Sequence, residues 1–366
     1  MHKLITTGTV LEHELSELRS LIERQTGIVL DCPNSAMAAH VADFIEVQEL
    51  GSSSLLLERL RSCEQDPASL PALLDGLINT NTGFFRHPGA LNALTRQVLP
   101  QLFARKSSDG PNPLRIWSAG CATGEETYSI AMAVCDAVSN SAVNNSSASN
   151  VNGNGKTAAR SGGIVDSAPN KSSAANLAGL TIHIVGSDLL PQNIEAADRG
   201  VYPQSALDGL PPASIRNHFS KISSPVILPV ETDDEDQSAD RDDSRYDGRY
   251  EAKQKAGSQS APASGVHLLV KPRLRSMVTF NCMNLARPGY IGRFDCIFCM
   301  DVLPHLSRAQ RIALLERLHL YLEPGGYLFL SQTEKLSAPN LNFRSETFDG
   351  YTVHRKPLAA SAAYGR

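Results

Sequence analysis

No apolar run in this 366-residue chain reaches the roughly 18–20 positions that a bilayer-spanning helix needs. The opening stretch, MHKLITTGTVLEHELSELRS, carries charge where a secretory leader requires an apolar core, so a cytoplasmic location without membrane insertion is expected. The net charge of −4 offers no positive field to a polyanion, and nucleic acid is not an expected partner. Two phosphate-binding patterns are also missing, the G-x-G-x-x-G fingerprint and the G-x-x-x-x-G-K-[ST] loop. The seven cysteines are odd in number and scattered, which argues against a disulfide framework. Cys296 and Cys299 form a C-x-x-C, but they lie in the apolar run FDCIFC. Strand positions three apart face opposite sides, so the pair is read as core packing and no metal site is expected.

What is present divides unevenly. Residues 139–178 are dominated by Ser, Asn, Ala and Gly, and residues 231–265 are dense in charge with little to bury. Neither stretch can offset the entropy of ordering itself, so both are read as unfolded surface insertions. Residues 1–75 show apolar positions at three- and four-residue spacing, in LEHELSELRSLIERQTG and SSLLLERLRS, and read as helices. Beyond them, the strand patterns LRIWSA, LTIHIVGSD, VHLLVKP, FDCIFCM and GGYLFLSQ alternate with helical stretches. That alternation predicts an α/β fold with a mostly parallel, doubly wound sheet covered on both faces.

Ligands of such sheets lie beyond the carboxyl ends of the strands. At the first of these ends, Ser118-Ala119-Gly120-Cys121-Ala122-Thr123-Gly124-Glu125-Glu126 runs from strand to helix. Gly120 permits a sharp turn and close approach of a ligand, and Glu125 and Glu126 suit the positive end of the helix. The same carboxylates would repel a phosphate, so a ligand with an amino group fits better. Asp188 ends the second strand, where an acidic side chain binds ribose hydroxyls in this architecture. Taken alone, Asp188 reads equally well as a helix cap, and the two glutamates as helix-start stabilisers.

The combination is more specific. Asn79-Thr80-Asn81-Thr82-Gly83-Phe84-Phe85-Arg86 is followed by SAGCATGEETYSIAM at 118–132, by Ser187-Asp188, by ADRGVY at 197–202 and by Asn284-Leu285 before FDCIFC. In order and spacing these resemble the CheR-type methyltransferases, which methylate glutamate side chains of chemotaxis receptors using S-adenosylmethionine. The resemblance implies a Rossmann-like methyltransferase domain at 76–356, after a small N-terminal helical domain at 1–75 and before a tail at 357–366. It also implies a small antiparallel β-subdomain, with the second insertion in a hairpin between VILPV (226–230) and VHLLVKP (266–272). Carried over residue by residue, the cofactor contacts would be Thr80, Thr82, Arg86, Gly120, Glu125, Asp188, Asn284 and Leu285. Asp188 would hold the ribose, Glu125 the amino-acid end, and Asn284 would lie near the adenine. Arg86 would orient the acceptor carboxylate, and the partner would be a protein, the methyl-accepting receptor.

The chain departs from the family pattern in three places, one of them Ser331-Gln332-Thr333-Glu334 where the family commonly reads Gly-His-Ser-Glu. Where the family reads Arg-Asn-Val-x-Ile-Tyr-Phe, this sequence has Met300-Asp301-Val302-Leu303-Pro304-His305-Leu306. Met300 and Asp301 thus replace two cofactor-facing residues, and His305 replaces a tyrosine beside the reacting centre, where histidine can serve as a base or merely cap a helix. The second N-terminal helix, from Asn34 to Glu46, has no Lys or Arg to steer an acidic receptor. Two alternatives therefore stay open: a methyltransferase with a different protein or small-molecule acceptor, and a cofactor-binding regulatory protein that has lost turnover.

Overall fold

The computed structural model describes residues 10–62, 69–78, 81–109, 113–148, 176–177, 180–222, 266–289, 291–336, 338 and 340–358. The N-terminal part folds as α1 (Glu12–Thr26), α2 (Asn34–Val47), α3 (Ser53–Arg61) and α4 (Ser69–Leu74). The expected apolar stripe is realised: Leu15, Leu18 and Ile22 of α1 meet Met37, Val41, Leu56, Leu60 and Leu73 in one core. Glu14 ties α1 to the start of α3, accepting from Ser53 Oγ at 2.7 Å and Ser54 Oγ at 2.9 Å. Leu190, from outside the bundle, joins the same core.

The larger part continues with α5 (Pro88–Ala93), α6 (Leu99–Asp109), β1 (Leu114–Ala119), α7 (Glu125–Ala148), β2 (Asn176–Leu177), β3 (Leu180–Asp188) and α8 (Pro191–Arg199). A small excursion follows, β4 (Val201–Pro203), α9 (Pro212–His218), β5 (Phe219–Ile222), β6 (His267–Val270) and α10 (Pro272–Arg275). The chain then completes the main sheet with β7 (Val278–Cys282), β8 (Phe294–Phe298), α11 (Arg308–Tyr321), β9 (Leu322–Phe329), β10 (Arg344–Phe348) and β11 (Tyr351–Arg355).

Five strands, in the order β7-β3-β1-β8-β9, run parallel; β11 and then β10 close one edge antiparallel. Short β2 pairs with the start of β3. After β1 the chain adds β3 and β7 on one side, then returns to lay β8 on the other side of β1. The switch point therefore falls between β1 and β8, and it predicts a ligand crevice at their carboxyl ends. Both faces are covered, as the near-continuous apolar strands require. Ile116, Cys296, Phe298 and Phe329 pack towards α5–α7, whereas Trp117, Ile297, Cys299 and Leu328 pack towards α11. Cys296 and Cys299 are both fully buried, on opposite faces, as strand alternation dictates.

One boundary differs from the sequence expectation. Helix α7 runs to Ala148, ten residues into the segment read as unfolded from 139. An established helix adds weak formers at little cost, because nucleation, not propagation, is the expensive step. Residues 149–175 lie outside the described residues, as does the 231–265 insertion. Strand β6 pairs with β5, at 219–222, across the second insertion; VILPV at 226–230 lies outside the described residues. F-S-K-I carries apolar residues only at its two ends; Phe219 is buried and meets the Phe84 ring edge-on at 5.5 Å. With β4, these strands form the small antiparallel sheet. Among the described residues no helix is long and apolar enough to cross a membrane.

Candidate functional site

The turn after β1 is stitched to the end of β3. Gly120 N and Cys121 N both donate to Ser187 O, at 2.8 and 2.9 Å, and Ala122 N donates to Asp188 Oδ2 at 3.0 Å. Trp117 Nε1 donates to Ser187 Oγ at 2.9 Å from the opposite side of the strand. The other carboxylate oxygen, Asp188 Oδ1, accepts from Leu190 N at 3.0 Å and Asn193 Nδ2 at 2.9 Å. Three of about four acceptor positions on a carboxylate are thus in use, which fixes the group while leaving roughly one for a ligand. Asp188 and Gly120 both line the large cleft over the switch point.

The turn holds Gly120, Ala122 and Gly124 at φ of +84°, +46° and +95°. A Cβ on Gly124 would lie 2.7 Å from Ala197 Cβ and 3.1 Å from its Cα, on the body of α8. Substitution Gly124→Ala should therefore destabilise the fold by about 2–4 kcal/mol, combining left-handed strain with overpacking. Thermal unfolding should show this as a fall of at least several degrees; an unchanged midpoint would mean that the turn relaxes freely.

Helix α7 then decides which acidic residue enters the cleft. The Glu125 carboxylate turns back to Thr123, accepting from its Oγ1 at 2.7 Å, and to the Thr82 hydroxyl. Glu126, one helical step of about 100° further round, lines the cleft and accepts from Ser118 Oγ at 2.7 Å. Desolvation pushes the Glu126 carboxyl up to about 7, with Ser118 opposing, Asp301 and Glu334 adding to the rise and Arg86 drawing it down. The sequence expectation assigned Glu125 to a ligand's amino-acid end; the wall of the cleft carries Glu126 instead.

At the opposite end, Asn284 and Leu285 follow β7 and border the cleft. The Asn284 amide is largely occupied, donating to Gln25 O at 3.0 Å and accepting from Ala286 N at 2.9 Å. Arg287 Nε donates to the same carbonyl at 3.2 Å, and Val29 N donates to His305 O at 2.8 Å. The segment after α1 is thereby laid over the sheet, and Thr26 and Ile28 become part of the cleft wall. Sequence reasoning missed these two. The available signal was Gly27, whose φ of +76° ends α1 and whose missing Cβ allows contact with Ala286.

The β8 end carries the charged cluster. Asp301, at φ +57°, receives Arg86 Nη2 at 3.3 Å and His87 Nε2 at 3.1 Å on the same oxygen, Oδ2. Arg86 also donates to Asn81 O. Glu334 holds the loop beneath, accepting from Asp301 N, Leu303 N and Ser331 N at 3.2, 2.9 and 2.8 Å, and its burial raises its carboxyl above the usual range. Met300 is buried beside Tyr351, and His305 faces the cleft from a single 3₁₀ turn. Thr82 completes this wall, whereas Thr80 lies outside the described residues. Asn284, Asp188, Gly120 and Asp301 thus follow four neighbouring strands, β7-β3-β1-β8. At about 4.8 Å per strand, the cleft spans about 14 Å. Among the described residues no group of His, Cys, Asp and Glu is placed to hold a metal ion.

Comparison with known proteins gives the family. The family model described as "CheR methyltransferase, SAM binding domain" matches residues 80–162 and 246–351, a little over half of the chain. Chemotaxis protein methyltransferase 1 of Pseudomonas aeruginosa is 26% identical over 324 residues, covering 87% of this chain and 89% of the relative. The chemotaxis protein methyltransferase of Vibrio parahaemolyticus is 25% identical over 336 residues, covering 91% and 93%.

Proposed function

The chain belongs to the CheR methyltransferase family, whose S-adenosylmethionine-binding domain it contains, and from that premise we propose that it methylates glutamate side chains of a cytoplasmic protein segment, that of a chemotaxis receptor. The observation that carries this reading is the union of the 120–124 turn with Asp188 on one cleft. The residues present fit the cofactor. Asp188 is a rigid carboxylate with acceptor capacity left for a ribose hydroxyl, and Glu126 is a desolvated carboxyl that an ammonium group would satisfy. Ile28, Leu285 and Met283 supply an apolar border for a flat base. On this reading the adenine lies towards Asn284 and Leu285, the ribose at Asp188, and the amino-acid end at Glu126, with Thr82 and Gly120 completing the wall.

S-adenosylmethionine brings a methyl group already activated by its positively charged sulfur. A glutamate carboxylate is ionised at neutral pH, so transfer to it requires no general base from the protein. What the protein must do is hold the acceptor in line and keep water out. Arg86, a planar guanidinium at the β8 end, is the residue to orient an acceptor carboxylate. His305 faces the same cleft and would contact the acceptor side; a base role for it is superfluous for a carboxylate and would matter only for another acceptor.

Two observations keep a different acceptor as the second reading. Helix α2 has no Lys or Arg, and Asp301 adds a negative charge beside Arg86. Labelled methyl transfer to receptor cytoplasmic fragments separates the two. The proposal expects label that alkali releases as methanol, as from a glutamyl ester. Alkali-stable label, or label on a small molecule alone, would assign another acceptor.

A further inference from the structure

We infer that Asp301 determines acceptor specificity by occupying, as an internal carboxylate, the two donors that an incoming acceptor carboxylate would use. The inference rests on the reading above for where the acceptor enters. Its substance lies in one oxygen atom. Asp301 Oδ2 takes both Arg86 Nη2, at 3.3 Å, and His87 Nε2, at 3.1 Å. Both side chains line the β8 end of the cleft, where His305 also faces it from the 3₁₀ turn. The carboxyls of Glu126 and Glu334 face the same region, and both are engaged elsewhere, with Ser118 and with backbone N–H groups. Met300, at the neighbouring position, offers no donor.

Asp301 is not there by chance of a mobile side chain. Its backbone sits in the left-handed region, and Glu334 grips both its own N–H and that of Leu303. The ion pair itself is different in kind. Arg86 is 41% exposed and Asp301 38%, so the contact is solvated and weak enough for a better-placed carboxylate to displace. Asp301 therefore acts as a competitor rather than a plug. An acceptor wins only if the rest of its binding surface contributes, which filters out isolated carboxylates and favours a glutamate presented on an extensive partner.

The test uses Asp301→Asn in the full chain loaded with S-adenosylhomocysteine. Asparagine keeps the shape and tolerates the left-handed backbone at least as well as aspartate, so the variant should fold. The probe is glutarate, a free diacid with the chemistry of the acceptor side chain, titrated calorimetrically. Wild type should bind it very weakly, and Asp301→Asn about tenfold more tightly or better, with S-adenosylhomocysteine affinity unchanged. Adding His87→Ala to Asp301→Asn should reverse part of that gain. Glutarate affinity that does not rise in Asp301→Asn would overturn the inference, as would a loss of S-adenosylhomocysteine affinity, which would make Asp301 a cofactor contact. Receptor methylation is scored separately. If glutarate binding tightens while no receptor fragment accepts methyl groups, the proposed acceptor fails and the competition at Asp301 stands.

Discussion

Asp188→Ala should reduce affinity for S-adenosylhomocysteine by about 100-fold or more, corresponding to the roughly 3 kcal/mol of a hydrogen bond to a charged group. The loss has two sources. The ribose would lose its acceptor, and Ala122 N, Leu190 N and Asn193 Nδ2 would lose the carboxylate that now joins them. Asn193→Ala separates the two effects. It removes one anchoring donor and leaves the carboxylate in place, so it should cost less than about tenfold, the scale of a single ordinary hydrogen bond. Isothermal titration of both variants, with melting curves to show that each remains folded, measures the difference. Equal losses in the two would mean that Asp188 serves only to brace the turn.

Glu126→Gln should weaken the same ligand by about tenfold at pH 8 and abolish the pH dependence of its binding, a charge-assisted hydrogen bond being replaced by a neutral one. The direction follows from the shift of this carboxyl from an ordinary 4.5 to about 7 by burial. Without ligand, the fold favours the protonated form. Stability associated with that group is complete below pH 4.5 and is lost as pH rises through about 7. Holding a ligand's ammonium requires the ionised form. Affinity in the wild type should therefore climb between about pH 6 and 8 and level off above it, while the glutamine variant stays flat across that range. A flat wild-type profile would place the ammonium elsewhere. Glu125→Gln is the matched control; its carboxylate is bound to Thr123 and Thr82 and should leave the profile intact.

The choice between those two glutamates shows where the sequence stopped being sufficient. Two adjacent carboxylates at a helix start are equally good helix stabilisers, and only the phase of α7 decides which one enters the cleft. That phase is set by the left-handed residues between Gly120 and Gly124, whose angles no residue pattern specifies beyond the need for glycine. By contrast, the parallel sheet, the strand-end position of Asp188 and the opposed burial of Cys296 and Cys299 follow from periodicities of two and from apolar runs, which are local properties. VILPV lies outside the described residues; F-S-K-I, which pairs with β6, has apolar residues only at its two ends and so gives little strand signal in the sequence. The contribution of Thr26 and Ile28 was out of reach for another reason. It depends on contacts to Asn284, Arg287 and His305, more than 250 residues away in sequence.

The resemblance assigns roles to residues that pattern alone leaves open, yet the positions where the chain departs from it are the informative ones. An aspartate at 301 in place of asparagine changes hydrogen-bonding capacity and charge at once. Placed against Arg86 and His87, it alters what the acceptor must overcome, not whether the cofactor site is built.

The central claim is that the 120–124 turn and Asp188 form one binding site for an adenosyl ligand, and a crystal structure of the protein with S-adenosylhomocysteine tests it most directly. The account predicts one ligand per chain, lying across β3 and β1, with a ribose hydroxyl on the Asp188 carboxylate and the ammonium on Glu126. A ligand bound elsewhere, with Asp188 still bonded only to Ala122, Leu190 and Asn193, would contradict it.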